Sequence, residues 1–274
     1  MFGEAFMQSY NGDEKLFETG FSEIDSCLRG ITKGSIITIG SRPAMGKSSF
    51  AISVCNHLLE IGKKVLFFEL DNSEAIAERQ FISVKTQIPL FYLHNNSQKS
   101  DWEKIKDTIE FFGNENFELL CKMNLTIDEA EEKIKEKKPD VVFFDCIQCI
   151  KMPKAPNITE AINLAIKEIK RIADENNIIV VLTSQLSRSG LYRCNHKPIL
   201  SDLRNGSLLE DLSDVIMFVH REEYYDRDNK DVKNKAEIIF NKNKFGELNL
   251  LCLKFEHGIF RDFSTEDYIR KVFI

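Results

Sequence analysis

The sequence predicts an α/β fold in which helices flank a mostly parallel central sheet, with an antiparallel extension toward the C-terminus. Short apolar segments alternate with helical segments through most of the chain, as in folds whose parallel strands are joined by helical crossovers. After Asp214 the pattern changes to successive strands separated by turns, at 215–220, 236–241, 248–255 and 259–263. Neither a repeat nor a linker interrupts residues 19–274, which are therefore predicted to form one domain.

Each predicted strand before residue 200 is a short apolar segment, and these lie at 35–39, 63–70, 117–121, 141–145 and 178–184. Such unbroken β-branched and aromatic segments are typical of strands buried on both faces. Helices are predicted at 50–60, 73–84 and 102–112, at 126–138 before Pro139, and from residue 158, where isoleucines recur on one face. Thr126 and Glu129 have capping-box spacing, which marks the start of the fourth helix.

Composition and charge restrict the class of protein. The 274 residues are 43% hydrophobic and 29% charged, which is typical of a globular protein. No apolar run reaches the roughly 18 residues of a membrane span, and the N-terminus lacks the regions of a signal peptide. The formal net charge of −6 argues against a broadly basic surface, so any nucleic-acid contact is expected on particular loops.

Seven cysteines without framework spacing predict reduced thiols and a cytoplasmic protein. Cys146 and Cys149 have the C-x-x-C spacing of thioredoxin-like motifs. Because they directly follow an apolar strand, a structural role is preferred here to a redox role.

A phosphate-binding loop is predicted at residues 40–49, Gly-Ser-Arg-Pro-Ala-Met-Gly-Lys-Ser-Ser, between a strand and a helix. Backbone N–H groups and the helix N-terminus would surround the β-phosphate of a nucleotide, and the ammonium group of Lys47 would contact the β- and γ-oxygens. The hydroxyl of Ser48 would bind Mg²⁺. The first glycine of the usual pattern is expected at 41 and stands at 40 instead. The candidate nucleotide-binding residues are Ser41, Arg42, Pro43, Ala44, Met45, Gly46, Lys47, Ser48 and Ser49.

Polar side chains end three of the predicted parallel strands: Glu69, Asp145 and Gln185. Because parallel strands bring their C-terminal ends to one edge of the sheet, these residues are expected beside the phosphate loop. Asp145 would hold Mg²⁺ through water, Glu69 would orient or deprotonate the attacking water, and Gln185 would contact the γ-phosphate as a sensor. The alternative is that the two acids only terminate strands.

Seven segments then carry a family resemblance, in the family's order: Thr19-Gly-Phe…Asp25, Arg42-Pro-Ala-Met-Gly-Lys-Ser-Ser, Phe68-Glu-Leu, Phe144-Asp-Cys-Ile-Gln148, Ser184-Gln-Leu-Ser-Arg188, Ser201-Asp-Leu-Arg204 and Asn241-Lys-Asn-Lys-Phe-Gly246. Over about residues 16–265 the chain resembles the C-terminal motor domain of DnaB-family replicative DNA helicases, a hexameric RecA-like ATPase. The resemblance also accounts for the irregular phosphate loop, since family members commonly lack the first glycine.

The resemblance implies ATP and Mg²⁺ as cofactors, with Lys47 and Ser48 on phosphate and Mg²⁺, Glu69 as catalytic base, Asp145 as the Mg²⁺ acid and Gln185 as sensor. Residues 242–244 match the family's Lys-x-Arg, which reaches into the neighbouring subunit's site. Lys242 keeps the lysine, whereas Lys244 replaces the arginine finger. Lysine cannot bridge two oxygens as the planar guanidinium does, so slow intersubunit hydrolysis is expected.

Two loops are expected to face single-stranded DNA in the channel of a ring. Basic residues next to the γ-phosphate sensor are suited to gripping a phosphate backbone during an ATP cycle. Arg204 lies in the segment Ser201-Asp-Leu-Arg204, which resembles the family's backbone-contacting segment. The alternative is that they are solvated loop cations. The candidate DNA-binding residues are Lys151, Lys154, Arg188, Arg193, Lys197 and Arg204.

Residues 1–18 are interpreted as an arm, a remnant of the linker helix that joins the two halves of DnaB proteins. The family's N-terminal domain has no counterpart here, which suits a shortened form or a phage or mobile-element relative. A primase or helicase loader is a further implied partner, and no membrane association is expected.

The preferred interpretation is a helicase motor that hydrolyses Mg-ATP between ring subunits, translocates on single-stranded DNA and unwinds duplex during replication. One alternative keeps the fold as a RecA-, RadA- or KaiC-like ATPase. Another is a nucleotide-binding assembly or regulatory module with weak hydrolysis, which Lys244 favours.

Overall fold

The structure is a computed structural model that describes residues 17–95, 99–187, 193, 195–203 and 207–263. The strands are β1 (Ile36–Ser41), β2 (Val65–Glu69), β3 (Phe117–Cys121), β4 (Val141–Asp145), β5 (Ile179–Gln185), β6 (Val215–His220), β7 (Lys235–Asn243), β8 (Leu250–Glu256) and β9 (Ile259–Arg261). Within the described ranges they form one sheet in the order β3-β2-β4-β5-β1-β6-β7-β8-β9.

Helices connect these strands. They are α1 (Ser22–Cys27), α2 (Lys47–Glu60), α3 (Glu74–Thr86), α4 (Leu90–Asn95), α5 (Lys99–Phe112), α6 (Ile127–Lys137), α7 (Ile158–Asn176) and α8 (Ser207–Leu212). A 3₁₀ turn, Ile147–Cys149, follows β4. In the described part of the chain, every helix is too short or too polar to cross a membrane.

The predicted fold class is confirmed, because the strands from β3 to β6 in the spatial order pair in parallel and β7, β8 and β9 add antiparallel strands. One assignment differs from the prediction. The strand Val215–His220 pairs in parallel with β1 on one side and antiparallel with β7 on the other. It therefore closes the parallel part of the sheet as well as starting the extension.

The two faces of the sheet have separate cores. Phe67 and Phe143 stack with ring centroids 5.2 Å apart on the face that α2 and α3 cover. Phe68 and Phe144 stack at 4.9 Å on the opposite face, which packs against α6 and α7. Successive side chains of a strand point to opposite faces, so the Phe-Phe pairs of β2 and β4 place one ring in each core.

The local signals in the sequence have mixed outcomes. The capping box of α6 is confirmed, since the Thr126 hydroxyl accepts from the backbone N–H of Glu129 at 3.2 Å and the Glu129 carboxylate accepts from the N–H of Thr126 at 3.0 Å. The helices α1, α4 and α8 were not predicted. The arm at 1–18 falls almost wholly outside the described residues and stays a prediction.

Candidate nucleotide site

The predicted phosphate loop joins the end of β1 to the start of α2. Gly46 caps the helix with φ 99°, in the left-handed region that favours glycine. A Cβ atom at Gly46 would also lie 2.8 Å from a ring carbon of Phe255 on β8, so no side chain fits there.

The displaced glycine of the loop has a packing explanation. A Cβ atom on Gly40 would lie 2.6 Å from a ring carbon of Phe218, whereas Ser41 fits in a buried position and donates its hydroxyl to the carbonyl of Arg42 at 2.8 Å. Glycine at 40 therefore serves the close approach of β1 and β6.

Lys47 is held by two neighbouring parallel strands. Its ammonium group pairs with the Asp145 carboxylate at the end of β4 and donates to the Thr183 hydroxyl on β5 at 2.7 Å. Burial has the largest single effect on the pKa of Lys47 and would lower it, but the charge and hydrogen bond of Asp145 together with other nearby negative groups raise it on balance. Burial likewise opposes ionisation of Asp145, yet the charge and hydrogen bond of Lys47 hold its pKa below the usual value.

Glu69 lies directly beside Asp145, since the two are partners in the β2–β4 register. One carboxylate oxygen, Oε1, accepts from the backbone N–H groups of Asp71 and Asn72 at 3.0 Å each and from the Asn72 amide at 3.2 Å. Burial, together with the charge of Asp145, raises the pKa of Glu69. A buried carboxylate of raised pKa is suited to accepting a proton from water.

Gln185 ends β5 and is the Cα partner of Ser41, the last residue of β1. The predicted sensor therefore lies beside the start of the phosphate loop. Its backbone N–H donates to the side-chain oxygen of Gln148 at 3.1 Å, and the Gln148 amide donates to the Ser184 hydroxyl at 2.9 Å. Gln148 therefore ties the segment after β4 to the end of β5.

These groups line one cavity of about 400 Å³. Every predicted nucleotide-binding residue except Met45 lines it, together with Glu69, Asp145 and Gln185. Met45 is instead buried in the core beneath α2. Asp145 Oδ2, Glu69 Oε2 and Arg42 Nη1 are buried without a hydrogen-bond partner among the described residues. Two free carboxylate oxygens and a free guanidinium nitrogen fit a hydrated divalent cation and a phosphate.

Several residues at the site were not predicted, among them Gln148, Thr183 and Arg221. Gln148 binds the Ser184 hydroxyl, and Thr183 accepts a hydrogen bond from Lys47. Each is a polar residue in or just after an apolar strand, the same local pattern that marks Glu69 and Asp145. Arg221 lies above the loop, where its guanidinium sits 4.2 Å from the Phe255 ring centroid and donates to the Ala44 carbonyl at 3.3 Å. Nothing local in the sequence places Arg221 there.

Lys242 and Lys244 lie at the opposite end of the parallel strands. Lys244 pairs with Asp214 at 2.7 Å, and Asp214 accepts from the N–H of Ile36, the first residue of β1. Lys242 donates to the carbonyls of Glu210 and Asp211, at 2.5 and 2.9 Å. The length of β1, about 17 Å, separates this end from the phosphate loop, so neither lysine meets the cavity of its own chain.

The candidate DNA-binding residues fall into three groups. Lys151 and Lys154 are exposed on the loop after β4. Arg193 pairs with the buried carboxylate of Asp202, and Lys197 pairs with Glu237 at 2.9 Å, so both of these cations are engaged within the chain. Arg188 and Arg204 lie outside the described residues.

Comparison with known proteins decides the family. The family model described as the DnaB-like helicase C terminal domain matches residues 17–264. The chain belongs to this family. Its similarity to curated relatives includes 34% identity over 247 residues with a probable plasmid replicative DNA helicase of Chlamydia psittaci, covering 86% of this chain and 53% of that protein. The replicative DNA helicase DnaB of Pasteurella multocida is 31% identical over 257 residues, which cover 90% of this chain and 55% of that protein.

Solved structures agree with this assignment. The ATPase domain of G40P has a TM-score of 0.86 and 26% identity, and covers 95% of this chain and 96% of that one. The structure of a DnaB-like replicative helicase, described with its interactions with primase, also has a TM-score of 0.86 and 26% identity. That match covers 96% of this chain and 67% of the helicase chain. This DnaB-like chain spans about half the length of the curated relatives it matches. The predicted RecA-like ATPase fold is confirmed.

Proposed function

We propose that this DnaB-like chain is an ATP-dependent DNA helicase motor that hydrolyses Mg-ATP between the subunits of a hexameric ring, translocates on single-stranded DNA and unwinds duplex during replication. The observation that carries the proposal is the convergence of Lys47, Asp145 and Glu69 in one cavity beneath the phosphate loop. Such a set supplies phosphate binding, a cation ligand and a base to a single site.

Within this site each residue has a distinct task. Lys47 and the N-terminus of α2 bind phosphate, while Ser48 and Asp145 would hold Mg²⁺, which when bound neutralises charge on the phosphate oxygens. Glu69 accepts a proton from the attacking water at Oε2, because Oε1 is already held by Asp71 and Asn72. Gln185 contacts the γ-phosphate, and the Gln148 side chain fixes the backbone of Gln185.

The positions of Lys242 and Lys244 support a site shared between subunits. Both lie about one strand length from the cavity of their own chain, so they serve hydrolysis only when a neighbouring subunit brings its cavity to this end of the sheet. Lys244 takes the place of an arginine finger there, after it leaves Asp214.

Lys151 and Lys154, which are both exposed, are proposed to bind the phosphates of DNA. Their loop directly follows β4 and the 3₁₀ turn that carries Gln148, so it is covalently continuous with the nucleotide site. Arg193 and Lys197 join this surface when DNA phosphates replace Asp202 and Glu237 as their partners. Arg188 and Arg204 are proposed to complete it. A primase or a helicase loader is proposed as a protein partner on the strength of the family alone.

The deciding experiment measures the Mg²⁺-ATPase rate with and without single-stranded DNA over a range of protein concentrations, with Lys47→Ala as the blank. Stimulation by DNA that grows with protein concentration supports assembled intersubunit sites and a working motor. A rate at the blank level, with ATP still bound, overturns the motor and leaves a nucleotide-binding module.

A further inference from the structure

Cys146 and Cys149 place two thiols at the wall of the nucleotide cavity. Their Sγ atoms are 3.4 Å apart, and both residues line the cavity that Lys47, Asp145 and Gln185 also line. The other cysteines that the structure describes are Cys27, Cys55, Cys121 and Cys252, and none of these lines the cavity. The site therefore contains a pair of thiols rather than scattered single ones.

The backbone between the two cysteines holds them in this position. Cys149 donates its N–H to the Cys146 carbonyl at 2.9 Å, which closes a single 3₁₀ turn. A covalent S–S bond of about 2.05 Å requires the two sulfur atoms to approach by about 1.4 Å. That approach requires the two side chains to rotate and the turn that carries them to shift.

We propose that Cys146 and Cys149 form a reversible disulfide that switches nucleotide binding at this cavity. The oxidant is a hydroperoxide, which is small enough to enter a cavity that a nucleotide fits. The disulfide chemistry rests on the geometry of the pair alone, whereas its effect on ATP rests on the function proposed above.

The reaction balances with the hydroperoxide as the electron acceptor. Cys149 is partly exposed at the cavity wall and Cys146 is buried beside it. One of the two thiols attacks an oxygen of the hydroperoxide, the O–O bond breaks, the other oxygen takes up the thiol proton and leaves as an alcohol or water, and the attacking cysteine becomes a sulfenic acid. The sulfur of the other cysteine then displaces the sulfenic oxygen as water and forms the S–S bond. Two thiols and one hydroperoxide thus give one disulfide, one alcohol and one water.

Disulfide formation would reach the phosphate chemistry through two neighbours. Cys146 directly follows Asp145, and Gln148 lies between the two cysteines while binding Gln185 and Ser184. A shift of this turn on disulfide formation would move Gln148 relative to β5. Misplacement of catalytic groups by about 1 Å can lower a rate by about 100-fold, so we expect weaker binding and slower hydrolysis in the oxidised protein.

The test treats the full chain with hydrogen peroxide and maps the cysteines by peptide mass spectrometry. ATP affinity is measured before oxidation, after oxidation and after dithiothreitol. We expect a Cys146–Cys149 linkage, an ATP affinity lower by about tenfold, and recovery on reduction. The variant Cys149→Ser should show no change in affinity on oxidation. The matched control Cys252→Ser, which removes an exposed thiol on β8, should respond as the unaltered chain does.

Bound Mg-ATP gives a second measurement. If the disulfide lowers the affinity for ATP by a given factor, then bound ATP must lower the equilibrium constant for disulfide formation by the same factor. Oxidised cysteines without the linkage, or a linkage that leaves ATP affinity unchanged, would overturn the proposal. If the reduced chain binds no ATP, the proposed function fails, and the redox pair is then upheld or refuted by the presence or absence of the mapped linkage.

Discussion

Lys47 and Asp145 form an ion pair at the floor of the nucleotide cavity, where Asp145 is 2% exposed. In this DnaB-like chain the pair joins the first residue of α2 to the last residue of β4, so one contact links two elements of the site. Removing one member of a buried pair leaves the other charge without compensation, which costs more than the pair itself contributes.

Lys47→Ala is therefore expected to lower the free energy of unfolding by about 3–5 kcal/mol at pH 7, as well as to abolish ATP binding. The double variant Lys47→Ala/Asp145→Asn should regain part of that stability, because it removes the uncompensated charge. Urea unfolding measures both, with Lys154→Ala on the exposed loop as a control. Equal stability of the single and double variants would contradict the pairing.

Acid unfolding gives a further test of the same pair. The pKa of Asp145 is lowered in the folded chain, so its ionisation stabilises the fold above its unfolded pKa of about 3.9 and this contribution is lost as pH falls through the folded value. The stability of Asp145→Asn should therefore depend less steeply on pH in that acidic range. Urea midpoints between pH 2 and 6 report the slope.

Glu69→Gln should separate hydrolysis from binding. The amide keeps an oxygen to accept from Asp71 and Asn72 but cannot accept a proton, so we expect kcat to fall by about 10²–10⁴ while ATP remains bound. Single-turnover hydrolysis alongside equilibrium ATP binding measures the two effects. A fall in affinity with unchanged kcat would exclude the role as base.

The same variant should be more stable than the unaltered chain at pH 8. Because burial and the charge of Asp145 raise the pKa of Glu69, its neutral form is favoured by folding, and this contribution is lost as pH rises through the folded pKa. An amide has no charge to bury, so its advantage should appear at pH 8 and vanish near pH 4. Thermal unfolding without nucleotide at the two pH values tests the sign.

Lys244→Arg should speed DNA-stimulated hydrolysis by at least about tenfold, since arginine fingers supply about 10³–10⁵ in rate and lysine provides only a compact charge. The gain should grow with protein concentration if, as proposed, the residue acts on a neighbouring subunit. Lys167→Arg, on the exposed face of α7, is the matched control. Absence of any gain would remove the explanation for slow hydrolysis.

Thr126→Ala should destabilise the fold by about 1 kcal/mol through loss of the cap of α6. Ser73 precedes α3 in the same way but makes no side-chain cap hydrogen bond, so Ser73→Ala should be close to neutral. Urea midpoints of the two variants, compared at unchanged slope, separate a cap from a residue that merely occupies the position.

Local signals account for much of what the sequence predicted. Glu69 and Asp145 each end an unbroken apolar strand, and parallel pairing brings them together. Features that depend on distant partners were not predictable from local patterns. The direction of β6 is set by pairing with β1, and Arg221 reaches the phosphate loop only because the sheet places them side by side. The ion pair of Lys244 with Asp214 depends on tertiary contact in the same way.

The contact of the phosphate loop with β8 and β9 has a consequence for folding during synthesis. Gly46 packs against Phe255 and Phe260, which a ribosome adds only after nearly the whole sheet. The loop sequence emerges early, but the rings that support it are synthesised last, so a nascent chain cannot complete its nucleotide site before β8 and β9 have been synthesised. Prematurely released chains would therefore lack a finished nucleotide site.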